Sequence, residues 1–178
     1  MSSAFLEAAP GFDQPIAMLK HCHDRIRRQI GIMQRLNPHL QKNGANAEAQ
    51  QAAHAVLRYF SEAAPNHHAD EEIDLLPALQ AAANGDDAEA LRQLLPEILQ
   101  EHQKMDALWN QLAPPLTEIA AGRATPLPDS VLGPFADMYL AHMEKEETVI
   151  APMARRILDA AQIAGIGVAM RIRRGIAA

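Results

Sequence analysis

Apolar residues recur along the chain at steps of three and four, the spacing of one face of an α-helix. The first such stripe consists of Ile16, Leu19, His23, Ile26, Ile30 and Met33. Asp13 is placed to cap this helix, and Pro15 is tolerated in its first turn. Asn37-Pro38 is expected to end the helix, and residues 42–44 to form a loop.

Two further amphipathic regions follow before a loop. The first covers roughly residues 45–83, where Pro65 and Pro77 are expected to kink or break the helix because proline lacks a backbone N–H. The next covers residues 88–112 and is expected to stop at Pro114-Pro115. These regions have the lengths expected of bundle helices.

The remaining helical pattern completes a four-helix arrangement. A short helical piece at residues 116–121 is expected to lead into a loop at 122–128, after which Asp129 or Ser130 can cap the fourth helix. This helix is expected to run to about residue 159. The pattern therefore predicts an all-α, up-down-up-down four-helix bundle over residues 1–160, with a kinked second helix and a basic, helical tail over residues 161–178.

Composition agrees with one helical domain. Alanine and leucine are abundant among the 178 residues, whereas valine, threonine and tyrosine are scarce. Sixteen Lys and Arg against 22 Asp and Glu give a net charge of −6, so nucleic-acid binding is not expected. A single cysteine, the lack of a basic leader in residues 1–7 and the lack of a long apolar stretch together predict a cytoplasmic protein without a membrane span.

One pattern of eleven residues occurs twice. Residues 67–77 and residues 142–152 both read H-x3-E-E-x2-(L/I)-x-P, and Phe60 matches Phe135 at the same offset. A weaker correspondence relates the first and third helices, where His23 matches His102 and its flanking apolar residues match as well. A twofold axis along an up-down-up-down bundle relates helix one to three and helix two to four, so the repeat supports this topology.

The repeat also carries the candidate chemistry. Positions i and i+4 share a helical face, so His67 with Glu71, and His142 with Glu146, direct an imidazole and a carboxylate to one level of the bundle. Such groups are costly to bury without partners. Two metal ions would remove that cost, because neutral imidazole and ionised carboxylate are natural metal ligands.

With these motifs the chain resembles the hemerythrin-like HHE cation-binding family, whose members hold a non-haem di-iron centre in a four-helix bundle. The resemblance spans about residues 14–158 and includes a Leu-x3-His first helix and Glu101-His102 in the third. It implies two iron ions, joined by an oxo or hydroxo bridge. The implied ligands are His23 and His67 on one iron, His102 and His142 on the other, and Glu71 and Glu146 as bridges.

The chain departs from the oxygen-carrying hemerythrins on two helices. Asp106 stands where they place the second histidine of H-x3-H, and the fourth helix has H-x3-E where they have H-x4-D. Four histidines with two glutamates look more like the sensing and iron-handling branches of the family. The resemblance therefore does not favour reversible O2 carriage.

Two neighbouring histidines compete for ligand positions. His23 is preferred to His21 because only His23 falls on the apolar stripe, and His67 is preferred to His68 because the second copy of the repeat has only His142. His68 is expected at the surface or against a ligand.

Other conspicuous residues have ordinary explanations. Asp106 is expected to be exposed or to contact a ligand from outside, and Cys22 to pack in the core. Tyr139 can hydrogen-bond near the site, although packing is its commoner role. The arginines of residues 171–174 are expected to form a solvated tail.

The sequence favours a di-iron protein that senses or reacts with O2, NO or peroxide. Iron storage, delivery or repair is the alternative, and a metal-free helical interaction module is a third possibility. Manganese or zinc would also fit the donor set. No nucleophile or base is evident beyond the ligands, so metal binding is favoured over catalytic turnover. A homodimer is possible, and no protein partner is indicated.

Overall fold

The computed structural model describes residues 9–176, and within that range it contains helices and no strands. The helices are α1 (Pro15–Asn43), α2 (residues 47–82), α3 (Gly85–Ala120), α4 (residues 129–157) and α5 (Ala160–Arg173). Helices α1 to α4 pack each against the next, and α4 returns against α1. The predicted all-α, up-down-up-down four-helix bundle is confirmed. The expectation about residues 1–7 falls outside the described part of the chain.

Helix α1 is longer at its C-terminal end than predicted. It continues through Pro38 to Asn43, and Gly44 ends it at a positive φ of 64°, with its N–H donating to the carbonyl of Leu40. The predicted stop at Asn37-Pro38 is wrong because Leu36 and Leu40, on either side of the proline, are both buried in the core. The predicted cap is also wrong, since Gln14 occupies the N-cap position without a side-chain bond.

Helix α3 likewise passes through Pro114 and Pro115 to Ala120, so the predicted stop there is wrong. Leu112 and Leu116 are fully buried on one face of this segment, and their burial favours a continuous helix. Because proline has no backbone N–H, the carbonyls one turn before these prolines have no helical donor. These carbonyls lie on the opposite, exposed side of the helix. Water can satisfy them there.

Pro65 and Pro77 in α2 and Pro152 in α4 each follow a wider π-helical turn. These turns are Tyr59–Ala63, Asp70–Leu75 and Glu146–Ile150, and proline is the second residue after each. The N–H of Leu76 donates to the carbonyl of Glu71, five residues back, and Ala151 makes the same bond to Glu146. A π turn accommodates the missing N–H and bulky ring of proline without ending the helix, so α2 is locally widened and stays continuous.

The core of the bundle is divided by a polar layer. One apolar cluster contains Phe60 and Phe135, the two phenylalanines that the repeat matches, and their rings meet edge to face at 5.2 Å. A second cluster, which contains Leu19 and Ile150, lies on the other side of the polar layer. The candidate ligands occupy the layer between the two clusters, so both sides of the site are apolar.

Helix α5 packs against α1 and the π turn at residues 70–75. Ile166 and Met170 are buried in the second apolar cluster. At Gly167 the backbone carbonyl of Phe12 approaches so closely that an added Cβ would lie 1.9 Å from its oxygen. The C-terminal segment is therefore helical, as predicted, and it lies against the bundle.

The predicted solvated tail is wrong for two of its arginines. Arg173 donates to Asp70 and, at 2.7 Å, to Asp74. Arg174 donates to both carboxylate oxygens of Asp70, at 3.1 and 2.6 Å, and its guanidinium lies over the ring of Phe12. Asp70 is completely buried, so these contacts attach the end of α5 to the residue that precedes Glu71.

Replacing Asp70 with asparagine is expected to lower the free energy of unfolding by about 3 kcal/mol, because it removes one partner of a buried ion pair. Chemical denaturation of the two proteins measures this change. Asp137 is exposed on α4, and Asp137→Asn serves as the control, expected to change stability by less than about 0.5 kcal/mol. Equal effects of the two substitutions would mean that the Asp70 cluster does not hold α5.

Candidate metal centre

The structure brings all six predicted ligands together in the polar layer. These residues form two overlapping groups of four. Within each group, one ligand atom of each residue lies within 4.8 Å of the ligand atoms of the other three. The first group is His23, His67, Glu71 and Glu146, and the second is Glu71, His102, His142 and Glu146. All six side chains are buried. The two groups share both glutamates, which is the arrangement expected of two adjacent cations.

The i, i+4 pairs of the repeat have matching geometry. His67 Nε2 lies 3.2 Å from Glu71 Oε1, and His142 Nε2 lies 3.2 Å from Glu146 Oε1. In each pair the glutamate lies within a π turn and the histidine precedes that turn. The two copies of the sequence repeat therefore build the same local arrangement on α2 and α4.

Helices α1 and α3 complete the cage. His23 Nε2 lies 3.1 Å from Glu146 Oε2 and 4.0 Å from Glu71 Oε1. His102 Nε2 lies 3.5 Å from Glu71 Oε2 and 2.9 Å from His142 Nε2. Each helix thus supplies donor atoms that converge on the shared carboxylates.

The second glutamate of each E-E pair reaches a neighbouring helix. Glu147 accepts a 2.9 Å hydrogen bond from His23 Nδ1, and Glu72 accepts one of 2.6 Å from His102 Nδ1. These bonds orient each ring so that Nε2 faces the cage. Sequence analysis did not assign this role, although the duplication of the second glutamate in the repeat was a signal for it.

The two halves of the cage differ at one histidine. His142 Nδ1 donates to Glu101 at 2.9 Å, but His67 Nδ1 has no hydrogen-bond partner within residues 9–176. Glu101 immediately precedes His102, and the residue that precedes His23 is Cys22. Because a thiol stands where the other half has a carboxylate, the ring of His67 is less firmly oriented than that of His142.

Burial and the shared carboxylates act oppositely on the histidines. Burial lowers the pKa of His67 well below its usual value, and it also lowers the pKa of His102. Burial opposes a charge on His23 and His142 as well, but the contacts of both rings with Glu146 outweigh it. The pKa of His23 is thereby raised to about 10 and that of His142 to about 9.

The pKa values of the two shared glutamates are shifted in opposite directions. Burial, reinforced by the charge of Glu146, raises the pKa of Glu71 to about 8. Burial opposes ionisation of Glu146 too, but His142 and His23 hold its pKa well below the usual range. A cation entering the cage would therefore displace protons at neutral pH, so its affinity is expected to rise with pH.

The remaining candidates lie outside both four-residue groups. His21 is half-buried and Asp106 is exposed. His68 is buried and stacks on His102 with ring centroids 4.0 Å apart, and its Nε2 lies 3.4 Å from the hydroxyl of Tyr139. The preference for His23 and His67 over their neighbours agrees with these positions, and His68 lies against a predicted ligand.

Cys22 is buried, as predicted for a packing residue. Burial raises the pKa of its thiol to about 11, so very little of it is thiolate at neutral pH. Tyr139 is also buried and packs against Phe135, with ring centroids 4.9 Å apart. Both residues therefore shape the surroundings of the site.

The fold and the donor set define a class of protein: an all-helical bundle with a buried histidine and glutamate cluster that could hold metal. The model of the hemerythrin HHE cation-binding domain matches residues 14–154, and the chain belongs to this family. It is also similar to an uncharacterized protein of Haemophilus influenzae (strain ATCC 51907 / DSM 11121 / KW20 / Rd), with 28% identity over 165 residues that cover 93% of this chain and 92% of that protein. In the described part of the chain, no helix is both long and apolar enough to span a membrane.

Proposed function

We propose that this protein is a non-haem di-iron protein that senses or reacts with O2, NO or peroxide. The observation that carries the proposal is the pair of four-residue groups that share Glu71 and Glu146. Two carboxylates common to two sets of histidines suit a pair of cations better than a single cation. Under this proposal His23 and His67 would hold one iron, His102 and His142 would hold the other, and Glu71 and Glu146 would be shared by both.

The buried polar atoms of the cage fit such a pair of ions. His23 Nε2, Glu71 Oε2 and Glu146 Oε2 are buried and form no hydrogen bond among the described residues. The contacts of 3.1 Å between His23 and Glu146 and of 3.5 Å between His102 and Glu71 are ion-pair distances without hydrogen-bond geometry. Uncompensated donors and acceptors of this kind are rare in protein interiors and costly to bury. Metal coordination would satisfy all three atoms, which supports ligation over a purely structural role.

The other residues of the site have supporting roles. Glu147, Glu72 and Glu101 accept hydrogen bonds from the histidine Nδ1 atoms and so keep the Nε2 atoms directed inward. The apolar clusters on both sides exclude bulk water from the layer. Bound iron would supply a change of oxidation state and coordination positions for a small ligand, since six protein side chains do not fill two octahedra.

Metal analysis combined with spectroscopy tests the proposal. Protein purified without added metal is expected to contain about two iron atoms per chain. After anaerobic reduction, its absorption spectrum is expected to change on exposure to O2, NO or peroxide. Protein that takes up zinc in place of iron is the matched control and is expected to show no such change, because zinc has no redox chemistry.

Two outcomes would contradict this function. A protein that holds iron but shows no spectral response to any of the three reagents would not be a sensor or reactant for them. If that iron also transferred readily to an acceptor apoprotein, storage or delivery would be the better assignment.

A further inference from the structure

Charge is distributed unevenly between the helices. Helix α1 carries six Lys and Arg residues and one acid, Asp24, so its net charge is +5 in a chain whose net charge is −6. No Asp or Glu occurs between Asp24 and Glu48. Helix α1 therefore presents a basic surface on an otherwise acidic molecule.

Three of these cations form a line along the exposed side of α1. Arg28, Arg35 and Lys42 are seven residues apart, a spacing that keeps side chains on one face of a helix. The line is about 21 Å long, at a rise of about 1.5 Å per residue. All three side chains are exposed, and none forms an ion pair or hydrogen bond with another residue of the described range 9–176.

The adjacent helix α4 carries a line of acids of similar length. Asp129, Asp137 and Glu144 are exposed, and no Lys or Arg lies between residues 129 and 144. Asp137 and Glu144 have no ion-pair partner in the described part of the chain, whereas Asp129 accepts a 2.9 Å hydrogen bond from Asn37. Leu140 is 43% exposed and lies between Asp137 and Glu144. The two lines together are called the α1/α4 face.

Helices α1 and α4 run antiparallel, and two contacts relate their heights along the bundle. Arg27 donates to Glu147 at 2.9 Å, and Asn37 donates to Asp129 at 2.9 Å. Averaged over these two contacts, each cation of the line lies at the height of one acid to within about one helical turn. The pairs by height are Arg28 with Glu144, Arg35 with Asp137, and Lys42 with Asp129.

The α1/α4 face is complementary to a second copy of itself. A twofold axis that lies outside the molecule, parallel to the bundle, keeps every residue at its own height and sets α1 of one copy against α4 of the other. Each cation then meets the acid at its height in the other copy, and every pair occurs twice. A nucleic acid or an acidic membrane would instead meet the carboxylates of α4 beside the cations, so it matches only half of the face.

We propose that the α1/α4 face is the interface of a homodimer, held by ion pairs between α1 of one copy and α4 of the other. The dimer would also cover the exposed side chain of Leu140. Exposed ion pairs are individually weak, so the dissociation constant is expected to be on the order of 10 µM at about 50 mM salt. This inference goes beyond the proposed function and does not depend on bound metal.

Charge reversal tests the interface, with sedimentation equilibrium as the measurement. Arg28→Glu with Arg35→Glu reverses the basic line, and Asp137→Lys with Glu144→Lys reverses the acidic line. Each double variant alone is expected to raise the dissociation constant at least about thirtyfold, because like charges then face one another. An equimolar mixture of the two double variants is expected to form a heterodimer of about wild-type affinity, since opposite charges face one another again.

Two controls accompany these variants. Arg58→Glu with Lys104→Glu makes the same change of net charge on exposed residues of α2 and α3, and it is expected to leave the dissociation constant unchanged. Raising the salt from about 0.1 to 1 M is expected to weaken the wild-type dimer about tenfold, because the screening length falls from about 10 to 3 Å. Circular dichroism checks that each variant is folded.

Three outcomes would overturn the inference. A wild-type protein that stays monomeric at about 1 mM and low salt does not form this dimer. If both double variants dimerise as well as the wild type, the dimer uses another surface. If each variant is monomeric but their mixture does not associate, the two lines do not pair with one another. The proposed function stands in all three cases, because it is tested by metal content and spectroscopy.

Discussion

Replacing Glu146 with alanine is expected to abolish binding of both metal ions of the proposed di-iron centre. Glu146 belongs to both four-residue groups, so its loss takes a donor from each ion. The substitution would also remove the carboxylate that lies 3.1 Å from His23 Nε2 and 3.2 Å from His142 Nε2. Elemental analysis after dialysis is expected to find less than about 10% of the wild-type metal, because both ions lose the same shared ligand. Glu71→Ala is expected to behave in the same way.

A histidine of one group should have a smaller effect. His67 belongs to the first group alone, so His67→Ala is expected to weaken one ion and leave about one metal per chain. Glu144 is exposed on the same helix as Glu146, and Glu144→Gln is the control, with unchanged metal content. Circular dichroism checks that each variant is folded. If Glu146→Ala kept one full equivalent of metal, the bridging role of this residue would be wrong.

Removing the metal with a chelator is expected to lower the melting temperature of the wild-type protein by about 10 °C. A ligand present at about a thousandfold excess over its dissociation constant stabilises the folded state by about 4 kcal/mol. For a domain of this size, each kcal/mol shifts the melting temperature by roughly 2–4 °C. The physical reason is that three buried polar atoms of the cage form no hydrogen bond among the described residues, so the metal would satisfy them.

Differential scanning calorimetry with and without chelator measures this shift. The variant Glu71→Ala, Glu146→Ala is the control, because a protein that has lost its metal has nothing for the chelator to remove. An unchanged melting temperature in the wild type would instead favour the metal-free interaction module.

The amino-acid sequence predicted which histidine and glutamate lie side by side on α2 and α4, because their relation is local. His67 with Glu71, and His142 with Glu146, are four residues apart, and helical geometry alone places them on one face. The duplication of this pair chose between His67 and His68. Phe60 and Phe135, matched by the same repeat, do contact each other in the structure.

Helix ends at prolines were predicted poorly. A proline lowers the helical preference of its own segment, but it does not reveal how much apolar surface the continuing helix buries. Burial of Leu40 beyond Pro38, and of Leu116 beyond Pro115, favours continuation in both cases. Local propensity was overridden by tertiary packing at these positions.

The sequence by itself determined the helical class, the twofold relation between helix pairs and the two histidine–glutamate pairs of the repeat, because each of these depends on spacing within a helix. Only the tertiary structure decided which atoms face one another across helices. It placed Glu72 on His102, Glu147 on His23 and the arginines of α5 on Asp70. These contacts join residues that are 30 or more positions apart. Their partners are set by how the helices pack, which no periodicity along a single helix records.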